Sequence, residues 1–285
     1  MKRKRETLPT EPPARRAEAL LVRLKSMADP VAREGMARFG IRTENALGIS
    51  VKGLCAVAKE TGKDTETALE LLRTSSCHEA HLLAFFLLRA EELSGEQLDE
   101  IAGGLDSWDT CDLFCGEIAT HPLAVQKVFR WSADPREYVR RAGFSLAARM
   151  AVRAKALPDE IFQAILPLAE HYGDDSRPMV SKAIDWAVRQ IGKRSTFLHP
   201  YALSLAEKMA ASPQKSIRRI GRVSLRELSR PEVIARLKPH SVWPEEGWSI
   251  CRGIVDFSSP SRPKDKGGEP CHSPFLPLSK AGRKP

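Results

Sequence analysis

The sequence predicts an all-α chain, a right-handed α-solenoid of stacked helix pairs with a basic groove on its concave side. Three observations lead there. Good helix formers dominate, aromatic residues make up only 6% of the chain, and no alternating β-branched run exceeds a few residues. Apolar positions recur at helical spacing in segments divided by short breaks. The C-terminal half repeats itself: Val139-Arg-Arg-Ala aligns with Val180-Ser-Lys-Ala and with Ile217-Arg-Arg-Ile, anchors 41 and 37 residues apart.

Taken in order, helices are expected near 17–28, 30–39, 50–62, 64–74, 77–92, 94–103, 106–118, 121–132, 135–153, 158–171, 176–193, 199–211, 214–228 and 231–237. Residues 1–16 read as a disordered basic arm with Pro12-Pro13. Residues 239–257, with Trp243 and Trp248, show no clear period and stay unassigned. Residues 258–285 are rich in Ser, Pro, Gly and Lys and read as a disordered basic tail. The body is then a single solenoid over 17–238. Its repeat period is that of ARM/HEAT-type helix pairs, which cannot bury their faces alone and so stack into a curved array.

Charge is unevenly spread. The chain carries a formal +9. Residues 60–121 hold 14 acids and three bases, and residues 181–230 hold 11 bases and three acids. A basic block inside a folded body concentrates a field on phosphates, where a high overall pI alone would say little. The acidic block reads as a solvated convex side. No stretch approaches the ~18 apolar residues of a membrane span. The charged N-terminus is followed by no apolar signal core, so a cytoplasmic protein is expected, nucleoid-associated when bound to DNA. Six cysteines, with no C-x-x-C pair, read as reduced and mostly buried thiols rather than zinc ligands.

Each residue turns a helix by about 100°. In the helix near 176–193, Val180, Ala183, Ile184, Ala187, Val188 and Ile191 share a core face, while Lys182, Trp186, Arg189 and Lys193 form a stripe roughly opposite. That stripe reads as an aromatic wall among phosphate-binding cations, or as a Trp covered by the next repeat beside solvated lysines. In the helix near 135–153, Val139, Ala142, Leu146 and Met150 face inward and Arg141 points the other way. Near 214–228, Ile217, Ile220 and Leu228 face the core, with Lys215, Arg219, Arg222 and Arg226 opposite. Arg141, Lys182 and Arg219 hold equivalent repeat positions and are expected to form a basic ladder.

The segment Asp106-Ser-Trp-Asp-Thr-Cys-Asp-Leu-Phe-Cys has Asp106 or Ser107 as N-cap and Cys111, Phe114, Cys115 and Ile118 as its apolar face. Trp108 and Asp112 lie one turn apart on the edge of that face, with Asp109 and Glu117 further out. A carboxylate inside a helix beside a large aromatic reads equally as a salt bridge to the next repeat and as an active-site group.

Trp108-Asp-x-x-Asp112, then Val139-Arg-Arg-Ala, then Lys182-Ala-Ile-Asp-Trp-Ala-Val-Arg-Gln-Ile-Gly-Lys193 resembles the AlkD-like DNA alkylation-repair proteins over about residues 36–237. Leu47-Gly-Ile-Ser and His78-Glu-Ala are similar to that family as well. The resemblance implies a HEAT-like solenoid holding duplex DNA in its concave face. It implies excision of cationic N3- and N7-alkylpurines without extruding the base, by a monomer that needs no metal and no organic cofactor. It assigns Asp112 as the catalytic carboxylate and Trp108 and Trp186 as the aromatic pair on the lesion's deoxyribose. Arg141 would face a phosphate, with Arg140 as the second candidate, and Arg189 and Lys193 would grip the backbone. One departure stands out: the family's N-terminal tyrosine is absent, since no tyrosine precedes Tyr138. The alternative function is a non-catalytic HEAT-like scaffold for nucleic acid or for an acidic protein.

Overall fold

In a computed structural model of the chain, residues 11–240 are described. They form helices α1 (Pro13–Ser26), α2 (Pro30–Met36), α3 (Val51–Thr61), α4 (Thr65–Thr74), α5 (His78–Leu87), α6 (Gly95–Gly103) and α7 (Trp108–Glu117). Then follow α8 (Ala124–Ser132), α9 (Glu137–Arg153), α10 (Asp159–His171), α11 (Pro178–Gly192), α12 (Leu198–Ala210), α13 (Lys215–Leu228) and α14 (Pro231–Ile234). No strand occurs among the described residues. A solenoid is the result: α3, α5, α7, α9, α11 and α13 pack side by side as one layer, and α1, α4, α8, α10 and α12 back them as a second. No helix among the described residues is long and apolar enough to cross a membrane.

Local chemistry sets the helix ends. Asp29 accepts hydrogen bonds from Val31 N and Ala32 N to start α2, Asp64 does so for α4, and Ser94 with Gln97 forms a capping box on α6. Proline at the first turn of α1, α2, α11 and α14 pre-sets φ where no N–H is needed. The predicted core faces of α9 and α11 are buried as expected, from Val139 to Met150 and from Val180 to Ile191. Phe85, Phe114 and Trp131 run as a tilted aromatic row from α5 through α7 to α8, with ring centres 5.4 and 6.2 Å apart.

Two glycines at the same repeat position let helix pairs close tightly. A Cβ on Gly143 would come within 2.4 Å of Ser132 N on α8, and one on Gly221 within 2.2 Å of Ala210 N on α12. The third repeat has Ile184 there. Correspondingly, α10 lies less closely against α11 and shares its contacts with α8 and α12.

Two expectations need correction. The basic arm was placed over 1–16, but α1 begins at Pro13 and Arg16 is built into the body. Its Nε donates to Asp64 Oδ2 and to Thr67 Oγ1, both at 2.9 Å. Composition made Arg15-Arg16 look like a tail, and the partner that holds Arg16 lies on α4. Residues 1–10 and 241–285, which include most of the unassigned stretch and the whole tail, lie outside the described residues. The acidic block is only in part a solvated side: Glu60, Glu66, Glu91, Glu92, Glu96, Glu100 and Asp106 are exposed, but other acids are built into the fold. Glu79, Asp99, Asp109 and Asp112 each take hydrogen bonds inside the fold, Asp99 from the buried Lys127 at 2.7 Å and from Trp131 Nε1 at 2.8 Å. Among the described cysteines, Cys111 and Cys115 are buried as expected, whereas Cys55 is exposed; all four are free. Burial pushes the Cys115 thiol well up, with Cys111 beside it adding to the effect.

Candidate active site and nucleic-acid interface

Asp112 sits in the second turn of α7, where the neighbouring layer helix α9 presents a stripe at helical spacing: Arg141, Ser145, Arg149 and Arg153. Arg141 Nη2 donates to Asp112 Oδ1 at 2.8 Å and Oδ2 at 2.9 Å, and Ser145 Oγ donates to Oδ1 at 2.8 Å. The carboxylate side chain keeps 16% of its surface open. Three of its roughly four acceptor positions are filled, so it is oriented but not sealed. Arg149 Nε donates to the Asp112 carbonyl at 3.2 Å, and its guanidinium lies 5.0 Å from the centre of the Trp186 ring on α11. One arginine therefore touches both halves of the site. Arg153 continues the stripe, giving Nη1–H to Gly116 O at 2.5 Å.

Trp108 stands one turn before Asp112, half-buried, and its indole N–H donates to Phe39 O at 2.9 Å. That contact draws the 36–46 segment onto the site. Phe39 itself is 69% exposed, and only its backbone carbonyl is bonded to Trp108. Asp109, expected to point outward, is instead bonded to the buried His78 through Nε2 at 2.9 Å, and it accepts from Ser107 Oγ. Burial disfavours charge on His78, but the hydrogen bond and charge of Asp109 outweigh it and raise the imidazole's pKa. Burial likewise opposes the Asp109 charge, and His78 and Ser107 overcome it, so that carboxyl is lowered.

The predicted cations divide into three groups. Arg141 and Arg140 are corrected. Arg141 is 4% exposed and spends its guanidinium on Asp112 and on Met179 O at 2.7 Å. Arg140 is bonded to Asp175 at 2.7 Å and lies 5.0 Å from the Tyr172 ring centre. Arg141 is shut off from solvent and Arg140 keeps only 17% of its side chain open, so the ladder loses its first rung. A middle repeat is flanked on both sides by layer neighbours, so "opposite the core" is not the same as open. Arg189 and Lys193 are corrected in part. Arg189 is bonded to Asp185 at 2.8 Å and to Glu227 at 2.6 Å, and Lys193 to Glu227 at 2.5 Å. Lys182, Arg219 and Arg222 are exposed as expected; only Arg219 shows a contact, to Ser181 Oγ at 3.3 Å.

The sequence reading passed over Ser145, Arg149 and Arg153. Their signal was present as a four-residue spacing from Arg141, but only a three-helix arrangement turns that spacing into contacts. Asp185, buried one residue before Trp186, was likewise unread; it accepts from Arg189 and from Ser224 Oγ at 3.3 Å. Among the described residues no three His, Cys, Asp or Glu side chains could hold a metal ion.

Asp175 gives a measurable consequence. Hydrogen bonds from Arg177, and then from Arg140, lower its carboxyl from 3.8 to about 2 despite burial. A depressed folded pKa contributes stability above the unfolded value that fades as pH falls from about 4 to about 2. Asp175→Asn is therefore expected to lose about 2 kcal/mol at pH 7 and to approach wild type near pH 2. Thermal melts at the two pH values check this; an equal deficit at both would show that the pairing carries no linkage.

Residues 20–212 match the family described as DNA alkylation repair enzyme. Among solved structures, one described as "a new family of proteins related to the HEAT-like repeat DNA glycosylases with affinity for branched DNA structures" superposes with a TM-score of 0.63 at 16% identity, covering 79% of this chain and 98% of that one. A designed armadillo repeat protein overlaps with a TM-score of 0.33 at 15% identity, over 62% of this chain and 87% of its own, too weak to bear on the fold. No curated protein sequence matches. Helix α13, with Arg219 and Arg222, lies beyond the matched residues.

Proposed function

The chain belongs to the DNA alkylation repair enzyme family, and on that premise we propose that it is a DNA glycosylase for cationic N3- and N7-alkylated purines in duplex DNA. The observation that carries this reading is the Asp112 carboxylate, fixed by Arg141 and Ser145, one turn from Trp108 and linked through Arg149 to Trp186.

An alkylpurine already carries positive charge. When its C1′–N bond breaks, the electron pair goes to the base, which leaves neutral, and the sugar takes on oxocarbenium character. Asp112 supplies a fixed negative group for that cation and an acceptor for the attacking water, whose proton is lost as the hydroxyl joins C1′. Trp108 and Trp186 offer aromatic faces to the electron-poor sugar. Lys182, Arg219 and Arg222 are the proposed phosphate contacts on the same layer. The direct test is base release from duplex DNA containing N7-methylguanine. One observation favours the scaffold alternative: the same Arg141 pairing is what a purely structural ion pair would show. Duplex binding without release of any alkylated purine would decide for it.

Glu227 is expected to restrain DNA binding, because it neutralises both Arg189 and Lys193. The hydrogen bonds of those two cations overcome burial and lower its own carboxyl. Glu227→Gln should tighten duplex binding roughly tenfold at low salt and steepen the salt dependence by about one to two contacts. Anisotropy titrations across salt read this out, and an unchanged slope would show that neither cation reaches phosphate.

A further inference from the structure

A cavity opens at the far end of the same helix layer. It has a volume of about 280 Å³ and is walled by the ends of α9 and α11 and by the chain's return at Lys238. Three segments distant in sequence each bring one lysine to it: Lys155 after α9, Lys193 at the end of α11, and Lys238. The last is held in place by its backbone, since Lys238 O accepts from Thr196 N at 2.8 Å. Just beyond it, His240 stacks on Phe197 at 4.0 Å between ring centres.

Helix C-termini normally repel anions through their free carbonyls. Here that repulsion is cancelled. Arg194 donates to Ala151 O, Ala154 O and Leu157 O at 3.0, 3.1 and 2.6 Å, and it pairs with the buried Asp159 at 2.9 Å. Lys155 and Lys238 are exposed and make no ion pair among the described residues. Lys193 is paired with Glu227 at 2.5 Å, so the uncompensated positive charge of the cavity is that of Lys155 and Lys238, over a wall whose negative ends are already satisfied.

From this arrangement we infer that the cavity is a phosphate site, occupied by a backbone phosphodiester of the DNA strand that runs off the Trp186 stripe. The inference rests on the DNA-binding part of the proposed function. Lys193 follows Trp186 by seven residues, so it lies roughly 10 Å further along the helix axis. That is about three nucleotides of rise along one strand. The site would anchor the duplex beyond the lesion and fix its register against Asp112.

The test is duplex affinity as a function of salt for wild type and for the Lys155→Ala/Lys238→Ala double variant. Lys208→Ala, on α12 of the second layer and paired with Glu170 at 2.8 Å, serves as the charge control. Each phosphate no longer neutralised should lower the salt slope by about 0.9; the cavity holds one, so the double variant should lose up to about 0.9 while the control keeps the wild-type slope. A parallel thermal-shift series with inorganic phosphate separates the sources. Slope loss without phosphate stabilisation identifies the backbone diester. Stabilisation by phosphate that the double variant lacks, with the slope unchanged, identifies a free-phosphate site and overturns the DNA assignment. The phosphate series is readable even where wild type fails to bind duplex, in which case the proposed function falls separately. An unchanged slope together with an equal response of both proteins to phosphate overturns the site altogether.

Discussion

Asp112→Asn is expected to abolish base release, by at least about 10²–10³-fold, while duplex binding stays within a few-fold of wild type. The substitution keeps the shape and one acceptor oxygen, so Ser145 or Arg141 can still donate. It removes the negative charge that would face the oxocarbenium sugar. It also leaves Arg141 as a buried cation with only Met179 O as a full partner. Breaking such a pair from one side costs about 3–5 kcal/mol, and the retained amide oxygen puts this case at the lower end. Loss of release through unfolding must therefore be separated from loss of chemistry. The Asp112→Asn/Arg141→Gln double variant does that, because it removes both charges together and leaves no uncompensated buried charge. Its melting temperature should recover towards wild type and its release should stay absent. Recovery of release along with stability would mean that Asp112 serves only to hold Arg141, and the catalytic assignment would be lost.

Why the helices were readable and parts of the site were not comes down to range. The core face of α11 is written locally: Val180, Ala183, Ile184, Ala187, Val188 and Ile191 recur at 3.6-residue spacing, and a helix with that stripe has one stable way to lie on its neighbours. Trp108 and Asp112 were legible for the same reason, being one turn apart on one helix. Arg141 was legible as a residue but not as a direction. Its wheel position lies away from Val139 and Ala142, yet α7 and α11 close both flanks of α9, and the long side chain follows the flank to Asp112. Arg149 was invisible because its two partners, the Asp112 carbonyl and the Trp186 ring, come from different helices. Arg16 and Asp64 make the same point from α1: forty-eight residues separate a charge read as a tail from the carboxylate that fixes it. The acidic block misled for a related reason. Its sign could be counted, but which acids find donors inside the fold depends on cations such as Lys127 and Arg141 outside it.

Glu79→Ala is expected to be the most damaging single change outside the catalytic pair, and its effect should reach the site. Glu79 is fully buried on α5. Its carboxylate accepts from Leu47 N at 2.8 Å, Gly48 N at 2.7 Å and Ile49 N at 3.2 Å. Those three N–H groups belong to the turn leading into α3, and that turn is tight. Gly48 has φ +85°, and a Cβ there would sit 2.1 Å from Asp29 O, so the backbone cannot relax towards other acceptors. Removing the carboxylate strands donors at about 1–3 kcal/mol each, and a total loss of roughly 3–5 kcal/mol follows. Glu79→Gln should cost less, since its carbonyl replaces one oxygen, although its amide N–H₂ then meets a backbone donor. The consequence for function runs through Phe39. Leu47 O accepts from Asp29 N at 2.8 Å, so the turn ties α2 and the following segment to the body, and that segment presents Phe39 O to the Trp108 indole. With the turn loosened, hydrogen exchange should rise over residues 30–50. Release of N7-methylguanine should fall in kcat, while duplex affinity, set by cations on α11 and α13, should change little. Raised exchange over 30–50 in Glu79→Ala with release unchanged would break the link from Glu79 to Trp108 and leave the buried carboxylate a purely structural anchor.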